Sequence, residues 1–243
     1  MAIRLALAAT AVIALALLAG CGGGEPTPLA TPAPTDTPVP QDLSISVPRG
    51  TAPVLDGTLS PDEWPVAYQA DLTPSGRLML LHDGQYLYLG IRGSTDSVGS
   101  VCVASGDVIS VLHSSLGLGT AAYEHVEEGW QRIRSFSFTW WDTSDSTKAH
   151  QQQAEFLLAE RWLASTIGTG SPGEMEYQLA LPEGPLRLAV TYFTGDGTYE
   201  KIVRWPEQLD DACMNTSLIQ GRAPRMIGFH PEQWVAIRPV ASR

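Results

Sequence analysis

Lysine is scarce in this chain, and the shortage of positive charge limits the partners it can have. Lys148 and Lys201 are its only lysines, and the 243 residues have a formal net charge of −11 at pH 7. Proteins that bind nucleic acid or an anionic surface need clustered basic side chains to neutralise phosphates. We therefore expect no nucleic acid partner.

Motifs for catalysis and cofactor binding are also missing. The chain has no Gly-x-Ser-x-Gly, no glycine-rich phosphate loop and no His-Glu-x-x-His. Its histidines lack the spacing of metal ligands. Three carboxylate pairs fall in predicted loops, where solvated acids are the ordinary interpretation: Asp62-Glu63, Glu127-Glu128 and Asp210-Asp211. We therefore expect a protein that is not an enzyme and that has no metal site or cofactor.

One long apolar run is present, at the N-terminus. Arg4 precedes an apolar stretch over residues 5–18, which is typical of a signal peptide and short for a membrane span. Leu18-Ala19-Gly20-Cys21 resembles the lipobox of bacterial lipoproteins. This resemblance implies a signal peptide over 1–21, cleavage before Cys21 and lipidation of its thiol. The alternative is a plain secretory signal in which the cysteine is incidental.

Residues 22–47 are rich in glycine, proline and threonine and have no apolar periodicity. Such a segment cannot form a core, and its prolines favour an extended chain of about 3 Å per residue. We predict a disordered Thr/Pro-rich tether over 22–47 and a folded domain over 48–243. The domain would lie in the cell envelope, held to the membrane by the lipid and facing outside the cytoplasm.

The clearest local signal in the domain is a β-hairpin. Asp83-Gly84 separates two apolar-rich runs at 77–82 and 85–92. A two-residue Asp-Gly loop is typical of hairpins because both loop positions need a positive φ. Apolar side chains lie on both faces of each arm, which predicts a central strand pair of a packed sheet.

Residues in and before this hairpin resemble the opening of the family 9 carbohydrate-binding modules and the related DOMON-like domains. The matching residues are Asp56-Gly57, Trp64, Asp83, Leu87 and Tyr88. The resemblance implies an all-β fold: a mainly antiparallel, jelly-roll-like β-sandwich, to which the pattern of 146–164 adds one short helix. It also implies carbohydrate binding, because two aromatic side chains enclose a terminal sugar in the family.

The same resemblance extends thinly over the rest of the domain. Glu176 matches an acidic position of a late strand, and Trp205-Pro206 matches a late Trp-Pro. The strand that begins at Asp107 lies near a calcium site in the family, but His113 occupies the place of an expected acid. Some DOMON relatives bind haem through Met and His, so calcium and haem are alternatives to a domain without a cofactor. The available methionines are Met79, Met175, Met214 and Met226.

Alternating residues at 135–141 predict a strand with one aromatic face and one polar face. The side chains predicted on the buried face are Phe136, Phe138 and Trp140. Trp141 would stand among hydroxyl groups on the open face, where an indole can stack on a sugar ring. The alternative places Trp141 beneath a loop or helix. Further candidates for ligand binding are Trp130 and Trp205.

Residues 146–164 predict a helix that is capped by Ser146 or Thr147. Its apolar stripe would consist of Ala154, Leu157, Leu158, Arg161 and Trp162. Cys102 and Cys213 are the cysteines of the mature domain, and an exported chain favours a disulfide between them. The alternative is two buried free thiols.

Together these patterns predict a membrane-anchored, non-catalytic module outside the cytoplasm that binds carbohydrate. Two alternatives stay open at this point: a haem-binding redox domain, and a structural envelope lipoprotein with no small ligand.

Overall fold

The computed structural model describes residues 43–72, 76–93, 98–165, 173–193 and 202–241. The predicted signal peptide, Cys21 and most of the predicted tether lie outside these residues. Two mostly antiparallel sheets pack against each other, with one fifteen-residue helix beside them, which confirms the predicted β-sandwich. The strands are β1 (Ser44–Pro48), β2 (Tyr68–Asp71), β3 (Arg77–His82), β4 (Tyr86–Arg92), β5 (Val98–Ser105), β6 (Val108–Ser114), β7 (Leu118–Val126), β8 (Gly129–Arg134), β9 (Trp162–Ala164), β10 (Glu174–Ala180), β11 (Leu186–Phe193), β12 (Ile202–Trp205), β13 (Met226–Ile227) and β14 (Val235–Val240). The helices are α1 (Ser146–Glu160) and α2 (Thr216–Ile219), with 3-10 turns at Ala212–Met214 and Pro231–Gln233.

The larger sheet has the order β1-β14-β11-β5-β6-β7-β8-β13, and β12 also pairs with β11. The smaller sheet has the order β2-β3-β4-β10-β9. Its inner face meets the inner face of the larger sheet, and leucines from both meet in the core, such as Leu80, Leu89 and Leu188. A second core lies on the outer face of the larger sheet, under α2 and the loops near the C-terminus. The larger sheet is therefore buried on both faces.

Strand β1 shows that the domain begins earlier than predicted. It pairs in parallel with β14 from Ser44 onward, and Val47 is fully buried. Residues 44–47 were expected in the tether, but Ile45 and Val47 alternate with serines as they do in a half-buried strand. The predicted boundary at residue 48 is therefore wrong by about four residues.

The β3–β4 hairpin forms as predicted, but its loop differs. The N–H of Asp83 donates to the carbonyl of Tyr86 at 3.2 Å, so the two loop residues are Gly84 and Gln85 rather than Asp83 and Gly84. The Asp83 carboxylate accepts the N–H groups of Gln85 and Tyr86, each at 2.7 Å. Of these residues, only Gly84 has a positive φ, of 105°. The aspartate side chain thus caps the loop and removes the need for a second left-handed residue.

Helix α1 begins at Ser146 as predicted, but its N-cap residue and its end differ from the prediction. Asp145, not Ser146 or Thr147, is the N-cap, and its carboxylate accepts the N–H groups of Thr147 and Lys148. The helix ends at Glu160, its C-cap residue Arg161 has a φ of 66°, and Trp162 already belongs to β9. None of the helices in the described part of the chain is long and apolar enough to cross a membrane.

The predicted apolar stripe of α1 is also wrong. Phe156 is the buried residue of the helix, whereas Leu158 is 79% exposed. The stripe included Trp162, but that residue leaves the helix and pairs with Leu179 in the smaller sheet. Because the residues after Arg161 form a strand, the helix is shorter than predicted. It packs on the sandwich mainly through Phe156.

Residues 53–66 cover the outer face of the smaller sheet. Trp64, which is 3% exposed, packs with Leu59 against Gly90 of β4. A Cβ atom at Gly90 would lie 2.8 Å from Leu59 and 3.1 Å from Trp64, closer than packing allows. The glycine therefore provides the space into which the indole fits, and Trp64 is a structural residue.

Two glutamates of β10 hold this covering segment by its backbone. Gly57 N–H donates to Glu176 Oε2 at 2.7 Å, and Leu59 N–H donates to Glu174 Oε2 at 2.8 Å. Arg92 donates to the other oxygen of Glu174 at 2.8 Å and also to the carbonyl of Leu59. Glu174 is therefore charge-paired, whereas Glu176 has no basic partner of this kind among the described residues.

Glu176 is buried in an acidic surrounding. It is 1% exposed, and its Oε1 has no hydrogen-bond partner within the described residues. Burial raises its pKa from 4.5 to about 7, Gly57 N–H opposes the rise, and the charges of Asp56 and Glu63 add to it. The carboxyl group is therefore protonated in much of the folded protein below neutral pH.

Replacing Glu176 should stabilise the protein at alkaline pH. Between pH 4.5 and 7 the folded state binds a proton that the unfolded state lacks, so stability falls as the pH rises. Glu176→Gln keeps an acceptor for Gly57 and cannot ionise. We expect a gain of about 1–3 kcal/mol at pH 8 and little change at pH 4.5, measured by urea unfolding. Glu174→Gln is the control and should show no such gain. An equal effect of Glu176→Gln at both pH values would contradict the assignment.

A disulfide joins the larger sheet to the 3-10 turn at Ala212–Met214 on its outer face. Cys102 of β5 and Cys213 are bonded across 111 residues of chain, and both are fully buried on the outer face. Thr191 donates to the carbonyl of Cys213 at 3.1 Å, which fixes the same turn to β11. The predicted disulfide is confirmed, and the alternative of two free thiols is wrong.

Removal of this bond should destabilise the domain. A cross-link that closes a loop of this length restricts the unfolded chain and contributes about 2–4 kcal/mol. We expect Cys102→Ala/Cys213→Ala to lose this amount in guanidinium unfolding, because both sites still accept a small apolar side chain. Dithiothreitol should destabilise the unsubstituted domain and leave the double variant unchanged. Equal sensitivity of both proteins to the reductant would contradict this account.

Candidate functional site

Three aromatic side chains form a row on the outer face of the larger sheet. Phe136, Phe138 and Trp140, here called the aromatic row, alternate along residues 135–141. This segment is not the strand that was predicted, since only Thr139 pairs, through an isolated bridge to Leu118. The bridge consists of two backbone hydrogen bonds of 2.8 and 3.0 Å. It fixes the segment at the start of β7 without adding a strand to the sheet.

The rings of the aromatic row contact one another in sequence. Phe136 and Phe138 stack with centroids 5.8 Å apart and an interplanar angle of 15°. Phe138 and Trp140 are 6.0 Å apart and tilted by 44°. Beneath them, the imidazole of His113 meets Phe136 and Phe138 edge-on at 5.7 and 5.4 Å. Such edge contacts are favourable for aromatic pairs and fix the orientation of the rings.

Glycines form much of the surface on which the row rests. A Cβ atom at Gly117 would lie 2.8 Å from Trp140 Nε1, and one at Gly119 would lie 3.0 Å from Phe138. Gly221, which follows α2 with a φ of 74°, comes closer still, since its Cβ would lie 2.5 Å from Phe138. The rings can approach the backbone this closely because these three positions have no side chain.

Trp140 and Trp141 have environments opposite to those predicted. Trp140, expected in the core, is 60% exposed at the end of the row. Trp141, expected on an open face, is half-buried against the inter-sheet core, and its ring meets Phe156 of α1 at 5.5 Å. The backbone passes the end of the sheet here, so consecutive tryptophans contact different faces. The alternative that placed Trp141 against a helix describes its position better.

Trp130 and Trp205 present little surface to a ligand. Trp130 is 8% exposed in the outer core, where its indole N–H donates to the carbonyl of Phe229 at 3.1 Å. Trp205 is 7% exposed and belongs to the inter-sheet core. The structure therefore does not bring Trp130, Trp141 and Trp205 together. Periodicity missed Trp140, although the Gly-x-Gly at 117–119 was a signal that large side chains pack there.

His113 gives the row an uncharged support. It is 3% exposed, and burial lowers the pKa of its imidazole to about 4. Its Nδ1 has no hydrogen-bond partner among the described residues. At neutral pH the ring is therefore neutral and packs as an aromatic side chain.

No metal centre accompanies the row in the part of the chain that is described, where no three His, Cys, Asp or Glu side chains are placed to hold an ion. Asp107, the residue considered for calcium, is exposed at the β5–β6 turn, whereas His113 is buried near the other end of β6. Chemically, the row offers an apolar π surface and no group suited to acid–base work.

Comparison with known proteins finds no matching family model, no matching curated protein and no matching solved structure. The resemblance to family 9 carbohydrate-binding modules thus rests on the motif residues alone.

His113 should make the protein less stable in acid. Its folded pKa lies below the ordinary value of 6.5, so between pH 6.5 and 4 the unfolded state binds a proton that the folded state does not. Stability from this residue is complete above pH 6.5 and falls by about 2–3 kcal/mol as the pH falls through this window. His113→Leu should remove that loss.

The measurement is clearest in the Glu176→Gln background, where the opposing pH dependence of Glu176 is absent. Urea unfolding at pH 7 and pH 4.5 should show a smaller difference for His113→Leu than for the parent. His150→Gln, an exposed position on α1, is the matched control and should leave the difference unchanged. A persistent acid loss in His113→Leu would show that another group is responsible.

Proposed function

We propose that this protein is a non-catalytic carbohydrate-binding module, anchored outside the cytoplasm by a lipid on Cys21, and that a sugar ring stacks on Trp140. One observation supports this most directly. An indole that is 60% exposed lies at the end of a row of rings whose positions are already fixed by packing. A rigid exposed aromatic surface loses little conformational entropy when a ligand binds, which favours affinity.

The shape of the surface suggests the form of the glycan. Trp140 and Phe138 are inclined by 44°, so both rings cannot contact one flat surface at once. A flexible soluble chain can follow the bend, whereas a crystalline face cannot. The apolar C–H groups of a pyranose pack on an aromatic face, while polar neighbours bind its hydroxyl groups. Gln220, which is exposed and directly precedes Gly221, is our candidate for such a polar neighbour.

The charge of the chain suggests a neutral glycan. A formal net charge of −11 repels acidic polysaccharides at low ionic strength, and the neutral His113 below the row adds no positive charge. The proposed lipid and tether fit this role, because an extended segment of about 20 residues can hold the domain tens of Å from the membrane surface. A module that captures a polymer needs such reach and no reaction centre.

Trp140→Ala should abolish most of the binding without affecting the fold. We expect the retardation of the domain in affinity gels that contain neutral soluble polysaccharides to weaken at least about tenfold, or ~1.4 kcal/mol. The exposed position makes a loss of thermal stability small. Intrinsic fluorescence should shift on saccharide addition in the unsubstituted domain and not in the variant.

Trp141→Phe is the matched control, because it changes the adjacent indole while an aromatic ring still packs on Phe156. It should retain the retardation. The proposal fails if no polysaccharide in a broad neutral panel retards the domain, or if Trp140→Ala is retarded as strongly as the parent. A Soret band in the purified domain would instead support the haem alternative.

A further inference from the structure

A cleft of about 640 Å³ opens on the inner face of the larger sheet, where the smaller sheet does not cover it. Strands β5 to β8 form its floor, and its walls come from the end of α1 and from the chain around the end of β10. We call it the inter-sheet cleft. It lies on the opposite face of the larger sheet from the aromatic row, so the two surfaces share no residue.

The apolar surface that a ligand can reach lies at the rim of this cleft. Ile133, near the end of β8, is 52% exposed, and Ala159 of α1 is exposed as well. Leu181 and Pro182, which follow β10, are half-buried, as is Ala122 on the floor. Three further leucines of the lining belong to the inter-sheet core and are only 4–5% exposed, so they support the rim and offer almost no surface themselves. The rim suits a small aliphatic body.

The charged side chains of the lining leave one positive charge unbalanced. Arg134 donates to both carboxylate oxygens of Glu160, so these two charges neutralise each other. Arg161 is exposed, and its guanidinium has no hydrogen-bond or ion-pair partner among the described residues. Glu124 of β7 and Glu183 after β10 are exposed acids that lie outside the lining. A ligand with a negative group therefore finds a free guanidinium at this cleft.

The backbone places Arg161 at the cleft in a strained conformation. Arg161 is the C-cap of α1 and has a φ of 66°, the only positive φ of a non-glycine residue in the described part of the chain. Its N–H donates to the carbonyl of Leu157 at 2.9 Å, and its carbonyl accepts from Ala180 N–H at 2.8 Å. Glycine is the usual residue at such a helix end, because it has no Cβ atom to strain. The arginine thus supplies a side chain where the fold alone favours none, as residues at ligand sites often do.

We propose that the inter-sheet cleft binds a monocarboxylate with an aliphatic body, of the chemical class of medium-chain fatty acids. The carboxylate pairs with Arg161, whose planar guanidinium can donate two parallel hydrogen bonds to it. The aliphatic body lies on Ile133, Ala159 and Leu181. The net charge of −11 does not prevent binding of a single carboxylate, because salt screens distant charges over about 8 Å at physiological ionic strength. This site is independent of the proposed function, because the aromatic row belongs to the other face of the sheet.

The test uses decanoate at pH 8 as the probe. 1-Decanol is the neutral analogue of equal length, and acetate is the head group alone. Isothermal titration calorimetry of the mature chain should show decanoate binding, with decanol and acetate each binding at least about tenfold weaker. The comparison with decanol isolates the contribution of the charge, and the comparison with acetate isolates that of the aliphatic body.

The charge is tested on the protein by Arg161→Gln, which should weaken decanoate binding at least about tenfold and leave decanol binding unchanged. Arg222→Gln is the matched control. It removes an exposed arginine that follows α2 on the other face of the larger sheet, and it should leave decanoate binding unchanged. If Arg161→Gln does not fold, Arg161→Gly takes its place, because glycine adopts the positive φ of this position without strain.

The aliphatic contact is tested by Ile133→Thr, which stays β-branched and replaces an ethyl group with a hydroxyl group. Decanoate binding should weaken at least about threefold. Leu158→Gln, at an exposed position of α1 outside the lining, is its control and should not change binding. Trp140→Ala should also leave decanoate binding intact, which separates this site from the glycan surface.

The proposal is overturned if decanoate does not bind, or if decanol or acetate binds as tightly as decanoate. It is also overturned if the folded variant at position 161 or Ile133→Thr binds decanoate as tightly as the parent, or if Trp140→Ala abolishes the binding.

Discussion

The structure depends on one constraint: the larger sheet must be covered on both faces. Strands β5, β6, β7 and β11 have apolar side chains at odd and even positions, so each strand contributes to two cores. The smaller sheet covers the inner face. Within the described residues, the outer face has no second sheet and is covered by one-turn helices, loops and aromatic side chains. The Cys102–Cys213 bond joins that irregular layer to β5. The layer is not a strand of the sheet, so ladder hydrogen bonds cannot attach it.

Two buried ionisable groups, Glu176 and His113, have opposite effects on the pH dependence of stability. Burial raises the pKa of Glu176 and lowers that of His113, in each case because the charged form loses its hydration. Between pH 4.5 and 6.5, a rise in pH makes the contribution of His113 to folding stability more favourable and that of Glu176 less favourable. The two contributions to stability therefore offset each other over this interval. Each group lies beneath a cover layer, Glu176 under the 53–66 segment and His113 under the aromatic row, so each layer is attached through a pH-sensitive group.

Sequence patterns predicted the sandwich well because its hairpins are local. The runs around Asp83-Gly84 form the expected strands, and the cysteine pairing follows from the number of cysteines in the mature domain and from the predicted export of the chain. The predicted environments of Trp140 and Trp141 were wrong for one reason. The alternation along 135–141 shows that the two faces of the segment differ, but it does not show which face packs on the sheet. That choice depends on Gly117, Gly119 and Gly221, which are distant in sequence and become floor residues only when β7 and α2 are in place. The predicted apolar stripe of α1 was wrong for a similar reason, because Trp162 pairs with β10 as part of a strand instead of continuing the helix.

Both candidate binding surfaces lie where the cover of the larger sheet stops. On the outer face the covering rings end in Trp140, which has a neighbour on one side and solvent on the other. On the inner face the smaller sheet ends before β8, and the uncovered floor becomes a cleft. Their chemistry differs because the covers differ: aromatic side chains leave a π surface at their margin, and the end of α1 adds Arg161 to an aliphatic one. A sheet that is apolar on both faces but incompletely covered thus produces two unlike sites without any residue being shared between them.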